Sequence, residues 1–173
     1  DGRYSIVFNG EIYNHDALRK KLAAKGHQFS TNSDTEVIVV GYTEWGAEVV
    51  HKLDGMFAFF VFDSEKNTFF AARDPLGIKP LYWAQTDSRT FYFASEIKAL
   101  APINTIQKIE LFPPGHYMEN GSLVEYWSPA TFSANSTEDE DAVIATVRRL
   151  FDDAVKKRVQ TDLPVAVYLS GGV

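Results

Sequence analysis

The apolar residues of the chain change period several times, and each change marks an expected element. Tyr4 to Phe8 is a run of strand-formers, and Asn9-Gly10-Glu11 after it has the amide and glycine of a turn. Asp16 to Ala23 then reads as a helix, with Ala17, Leu18, Lys21 and Leu22 at helical spacing, Asn14 placed as its N-cap and Gly26 as its stop. Ser33-Asp34-Thr35-Glu36 has the form of a capping box, a hydroxyl three residues ahead of a glutamate. A second helix is therefore expected through Val37-Ile38-Val39-Val40 to about Trp45, with Asp34 in its first turn.

Met56 to Phe62 is apolar at odd and even positions alike, so as a strand it has two greasy faces and needs cover on both. A layered architecture follows. Asp63 to Asn67 reads as a turn into a strand at Thr68 to Ala72. Leu81 to Ala84 and Thr90 to Ala94 form a hairpin around Asp87-Ser88-Arg89, and His116 to Met118 and Ser122 to Tyr126 flank the hairpin signal Asn120-Gly121. These are signs of an antiparallel meander. Ser128 to Thr137 shifts to Ser, Thr, Asn, Ala and Pro, a linker composition. An acidic first turn, Glu138 to Asp141, then opens a long helix ending near Val159. Pro164 to Leu169 reads as a buried strand running into Ser170-Gly171-Gly172. The expected division is a first domain over 1–128, a linker over 129–137 and the start of a second domain over 138–173.

Composition narrows the function classes. With 173 residues and 45% hydrophobic content there is material for one ordinary core and part of another. No apolar run approaches the length of about 18 residues that a membrane span needs, so no membrane role is expected. A net charge of -6 with scattered basic residues lacks the footprint of a nucleic-acid binder. Nothing at the first residues resembles a signal peptide, which makes the cytoplasm the expected location. The 173 residues contain no cysteine, which excludes a disulfide framework, a thiolate metal site and a cysteine nucleophile among them. The four histidines, His15, His27, His51 and His116, have no ligand spacing, and no metal site is expected.

Three segments carry a likeness. Phe8-Asn9-Gly10-Glu11-Ile12-Tyr13-Asn14-His15 with Ser33-Asp34-Thr35-Glu36 is the first. Arg73-Asp74-Pro75-Leu76-Gly77-Ile78-Lys79-Pro80-Leu81-Tyr82 is the second, and the terminal Leu169-Ser170-Gly171-Gly172 the third. Together, and in this order, they resemble the glutamine-dependent asparagine synthetases. The resemblance implies an α+β fold: a four-layer αββα sandwich of antiparallel sheets, of the N-terminal-nucleophile hydrolase type. The first helix and strand of an α/β PP-loop ATP pyrophosphatase domain would follow. It also implies roles. The Asn9 side-chain NH2 and the Gly10 backbone N–H would form an oxyanion hole, Glu11 and Asp34 would hold the ammonium end of glutamine, and Leu169, Ser170, Gly171 and Gly172 would begin the nucleotide-binding loop. Chemically these types suit the task. Amide hydrolysis passes through a tetrahedral oxyanion that needs positioned donors, glycine lets a backbone approach closely, and small residues let N–H groups wrap phosphate oxygens.

Plainer readings stand beside these. Asn-Gly-Glu alone is a turn, and Asp34 alone is a first-turn partner of the helix dipole, a role that can coexist with ligand binding. Arg73 and Asp74 read as structural, a buried ion pair bracing a rigid loop. The resemblance further implies L-glutamine, L-aspartate and ATP with Mg2+ as substrates, and no prosthetic group. In the family the nucleophile is an N-terminal cysteine using its own α-amine as base. Neither that residue nor an Arg-Gly-Pro-Asp segment occurs here, so an internal piece of a larger synthetase, inactive as a glutaminase alone, is expected. A ligase with a different carboxylate acceptor, or an inert glutamine-binding module, are the alternatives. Assembly is left open, a homodimer among the options.

Overall fold

Local strand preference and long-range pairing disagree at one point of the first element, and pairing wins. A computed structural model describes residues 2–129, 139–159, 164–168 and 171, which divide into two units, Asp1–Pro129 and Ala130–Val173. In the first unit, strand β1 spans Tyr4–Ile12 and does not stop at Asn9. It continues because β2, Gly55–Asp63, offers an antiparallel partner along its whole length, from Tyr4↔Asp63 to Ile12↔Gly55. The turn expected at Asn9-Gly10-Glu11 is therefore corrected to strand. Burial and ladder pairing override an intrinsic preference worth at most about 1 kcal/mol.

Helix α1, His15–Ala24, buries Leu18 and Leu22, and α2, Asp34–Trp45, buries Val37, Ile38 and Gly41. A short 3-10 helix, Gly46–His51, leads into β2. Then come β3 (Thr68–Arg73), β4 (Tyr82–Gln85), β5 (Phe91–Ala94), the four-residue helix α3 (Ile97–Leu100), β6 (Glu110–Leu111), β7 (His116–Glu119) and β8 (Ser122–Glu125). They form a five-stranded sheet in the order β1-β2-β3-β7-β8 and a three-stranded sheet in the order β5-β4-β6. All the pairings are antiparallel. Asn120 and Gly121, with φ of 51° and 91°, make the β7–β8 turn, as the Asn-Gly pair predicts.

The doubly apolar β2 explains the layering. Phe57, Phe59 and Val61 face α1 and α2 in one buried cluster, while Ala58 and Phe60 face the second sheet in another with Leu81, Phe112 and Met118. Rings bridge the two sheets, with Phe60 and Phe93 centroids 5.1 Å apart and Phe69 and Phe91 also 5.1 Å apart. Each such pair contributes about 0.5–1.5 kcal/mol beyond its area burial. Helices, large sheet and small sheet are thus three stacked layers among the described residues.

Two caps differ from expectation. Ser33 caps α2 by accepting from the Thr35 N–H at 3.1 Å, but Glu36 does not close a capping box. Its carboxylate turns to the preceding loop, accepting from Ser30 N, Thr31 N and Thr31 Oγ1 at 2.6–2.7 Å. Three donors in one tight loop outcompete the single Ser33 N–H. Asn14 holds the N-cap position of α1 without capping it. Its side chain bridges Lys52 O and the Asp54 N–H instead, at 2.8 and 3.0 Å.

In the second unit α4 spans Glu140–Arg158, with Asp139 accepting from the Ala142 N–H at 3.2 Å and Lys156, Lys157 and Arg158 in the last turn. The strand expected over Pro164–Leu169 is corrected over its described part. Residues 164–168 have no regular structure, and Val165, Val167 and Tyr168 are exposed. A strand exists through its ladder, and no strand is described in this unit to pair with it.

Candidate active site

The site begins with the alternation of the β1–β2 ladder. Phe57 spends both its backbone groups on Asp74 on its far side: its carbonyl accepts from the Asp74 N–H at 2.8 Å, and its N–H donates to the Asp74 side-chain Oδ2 at 3.2 Å. On the β1 side Phe57 faces Gly10 as a non-hydrogen-bonded pair. By ladder alternation the Gly10 N–H therefore points away from β2, as does that of Ile12 two residues on, along the edge that β1 forms among the described residues. The Ile12 N–H is taken by Asp34 Oδ2 at 3.0 Å. Two outward N–H groups thus lie along one strand edge, roughly 7 Å apart by strand rise, one bonded to a carboxylate and one directed outward.

Gly10 is required here by close approach. A Cβ on it would lie 2.2 Å from the Met56 carbonyl oxygen and 2.8 Å from the Phe57 Cα. Gly55, at the end of the same ladder, repeats the arrangement, with a Cβ 2.2 Å from the Glu11 carbonyl oxygen.

Strand alternation also places the side chains. Tyr4, Ile6 and Phe8 pack toward the helices, which puts Val7, Asn9 and Glu11 on the face toward the second sheet. Val7 and Asn9 there line a cavity of about 280 Å³ between the sheets, together with Ala58, Phe60, Phe93 and Ser95. The Asn9 Nδ2 donates to Ser95 Oγ at 3.4 Å, across 86 residues of sequence. Ser95 follows β5, an edge strand of the small sheet, as β1 is an edge strand of the large one. Sequence reasoning missed Ser95. Its one local signal is its place directly after an apolar strand.

Asp34 is held in place by its loop. Arg19 donates to Thr31 O at 2.6 Å and to Ser33 O at 2.9 Å, with its guanidinium 4.6 Å from the Phe29 ring. Burial works against the Glu36 charge, but the donors at Ser30 and Thr31 hold its carboxyl below the usual value. The loop before α2 is thereby clamped from both sides. Glu11 is exposed on β1, next in sequence to the residue Asp34 holds.

Arg73 and Asp74 stand apart from this edge and do not form the expected ion pair. Arg73 lies in the cross-strand row Asn9–Ala58–Arg73, two strands away, or about 10 Å. Its guanidinium donates to three carbonyls, Lys79 O, Phe112 O and Gly77 O, at 2.6–2.8 Å. The Asp74 carboxylate accepts from the backbone N–H groups of Phe57, Leu76, Ile78 and Lys79 at 2.8–3.2 Å. Each ion is satisfied by backbone rather than by the other, because the loop folds its own polar groups around both. Burial pushes the Arg73 guanidinium below its usual value, and the nearby Asp74 charge opposes that. Tyr126 Oη donates to Arg73 O at 2.8 Å, and burial, reinforced by Asp74, pushes its phenol well up.

Of the residues expected to meet nucleotide, Leu169, Ser170 and Gly172 lie outside the described residues, and Gly171 is exposed with open space around its Cα. Among the described residues no helix is long and apolar enough to cross a membrane, and no three His, Asp or Glu side chains gather as a metal-binding group.

Comparison with known proteins adds to this geometry. Residues 1–119 match the family described as glutamine amidotransferase domain, and residues 146–173 match the asparagine synthase family. The chain is similar to glutamine-hydrolyzing asparagine synthetase 3 of Arabidopsis thaliana, 45% identical over 177 residues, covering 100% of this chain and 29% of that relative. It is similar to glutamine-hydrolyzing asparagine synthetase B of Escherichia coli K12, 40% identical over 170 residues, covering 97% and 30%. Glutamine-hydrolyzing asparagine synthetase 3 of Bacillus subtilis 168 is 38% identical over 200 residues, covering 98% and 32%. The chain thus spans about a third of the length of the curated relatives it matches. Among solved structures it shares the fold of glutamine phosphoribosylpyrophosphate amidotransferase from B. subtilis, with TM-score 0.62 and 22% identity over 75% of this chain and 30% of that one. The allosteric regulatory enzyme of purine biosynthesis matches with TM-score 0.62 and 23% identity, over 73% and 29%.

Proposed function

The chain belongs to the glutamine amidotransferase domain family, and from that premise we propose that it forms the glutamine-handling part of an ATP-dependent, glutamine-hydrolysing asparagine synthetase. The observation that carries the proposal is the open edge of β1, where the outward Gly10 N–H sits beside Asn9 at the cavity and Asp34 is anchored at Ile12. Two neutral donors suit the oxygen of an amide under attack. Such donors are each worth roughly 10²- to 10³-fold in rate. Glu11 and Asp34 are the carboxylates for the ammonium end of the substrate, a charge-assisted contact. The glutamine amide is hydrolysed by water to glutamate and ammonia. ATP adenylates the aspartate side-chain carboxylate with release of pyrophosphate, and ammonia displaces AMP to give asparagine. Mg2+ accompanies ATP as part of that substrate.

In this reading residues 1–128 are the amidotransferase domain, 129–137 a linker and 138–173 the start of a PP-loop domain whose first phosphate contacts come from Leu169 to Gly172. The sandwich is completed by a fourth, helical layer, and the enzyme works in the cytoplasm. Residue composition supports a nucleophile supplied from outside these 173 residues, since none of them is cysteine. The test follows from that. The 173-residue chain alone releases no ammonia from L-glutamine, while the protein expressed from the whole gene encoding it releases ammonia and forms AMP with L-aspartate. Ammonia release by the chain alone would overturn the assignment of the nucleophile. AMP formation only with another carboxylic acid would overturn asparagine as the product.

A further inference from the structure

We infer that Ser95 is a positioning residue that sets the orientation of the Asn9 carboxamide toward the substrate oxygen, an inference that rests on reading Asn9 as an oxyanion donor. Asn9 on the edge strand β1 and Ser95 directly after the edge strand β5 of the other sheet line the same cavity, with Nδ2 donating to Oγ at 3.4 Å.

The need for such a partner is chemical. The terminal torsion of asparagine is broad and roughly two-fold, and turning it over exchanges an N–H donor for a carbonyl acceptor. A carbonyl aimed at a developing oxyanion would repel it. By accepting one N–H of the Nδ2 group, the Ser95 oxygen holds the NH2 end on the cavity side and leaves the second N–H for the substrate. Besides Asn9 and Ser95, the Tyr92 hydroxyl is the one polar side-chain group on the lining, and the remaining residues, among them Val7, Ala58, Phe60 and Phe93, supply none. The bond is long, which places it at the weak end of its class. Its loss is therefore expected to change affinity by about three- to tenfold rather than abolish it.

The 173-residue chain itself provides the test, through NMR titration with L-glutamine and with L-norvaline, which has a methyl group where glutamine has its carboxamide. Ser95→Ala is expected to weaken L-glutamine binding by about three- to tenfold. It should leave L-norvaline binding unchanged and shift the Asn9 side-chain NH2 resonances, and Ser95→Thr should restore both L-glutamine binding and those resonances. A purely structural role would lower both ligands together, and that result overturns the inference. If Asn9→Ala removes the preference for L-glutamine over L-norvaline but Ser95→Ala does not, the Asn9 reading stands and the Ser95 assignment falls. If the unaltered chain shows no preference between the two ligands, the oxyanion reading fails and the Ser95 assignment with it. Urea midpoints of each variant separate these outcomes from unfolding.

Discussion

Gly10→Ala is the substitution that most directly probes the edge of β1. The added Cβ would sit 2.2 Å from the Met56 carbonyl oxygen, 2.8 Å from the Phe57 Cα and 2.8 Å from the Phe8 ring, where contacts under 3.0 Å essentially never occur. Two of the three neighbours are backbone of β2, so relief requires the strands to part by about 0.8 Å at this register. Overpacking of this kind costs about 1–3 kcal/mol, and the backbone neighbours place it at the upper end. The stiffer unfolded chain gives back about 0.4–1 kcal/mol. The net loss is then about 2 kcal/mol, a fall of roughly 6–10 °C in Tm for a unit of this size. Gly46→Ala is the control. Gly46 has φ of 58° and ψ of -137° with open space around it, a backbone conformation that favours glycine, so alanine there brings backbone strain of about 1–3 kcal/mol without a clash. Thermal unfolding should show both variants destabilised, but amide shifts at Met56 and Phe57 should move in Gly10→Ala alone. A displacement near 1 Å at a donor costs on the order of 10²-fold in rate, so the whole enzyme carrying Gly10→Ala should lose glutaminase activity to that extent. A Gly10→Ala chain that melts with the unaltered one and keeps its Met56 and Phe57 shifts would refute the close-approach argument.

Asp74→Asn removes a buried charge that four backbone N–H groups share, and unfolding should report a loss of about 3 kcal/mol or more. Bonding from Arg3, helped by its charge and by nearby backbone N–H groups, holds the Asp63 carboxyl down at about 2 against the cost of its burial. A depressed folded-state value means stability present above the unfolded value near 4 and lost as pH falls through about 2. Urea midpoints measured from pH 5 downward should therefore decline over that window, and Arg3→Gln should flatten the decline. Glu36→Ala should release the loop before α2, with hydrogen exchange at Ser30 and Thr31 accelerated about 5- to 30-fold as their acceptor is lost.

Patterns that depend on burial were legible in the sequence, and those that depend on distant partners were not. Met56 to Phe62 announced a strand covered on both faces because no polar residue interrupts it, and the two clusters around Phe59 and Phe60 are that cover. Leu18 and Leu22 announced the inner face of α1 in the same way. The 3-10 helix Gly46–His51, α3 and the two-residue β6 are too short to establish a period. Glu36 has the spacing of a capping box, yet a loop folded back on α2 offered it better donors. Pro164 to Tyr168 has strand composition, and composition cannot supply the neighbour that a ladder requires.

The site itself shows why spacing alone misplaced its backbone. Asn-Gly favours a turn when the chain acts locally, but here Gly10 meets Phe57, and Phe57 is fixed from its other side by Asp74 through both backbone and carboxylate. The Arg73–Asp74 loop, about two strands from the edge, thus holds the residue against which Gly10 is packed. A turn would have freed Gly10; the strand immobilises it with its N–H facing outward, which is the condition for a donor that needs no reorganisation when charge develops. The same logic separates two effects of Asp74→Asn. If Asp74 serves its own loop alone, the variant loses stability and the Gly10 amide resonance stays in place. If it steadies the row Gly10–Phe57–Asp74, the Gly10 resonance moves under conditions where the chain remains folded, and the shared Phe57 makes that the expected result.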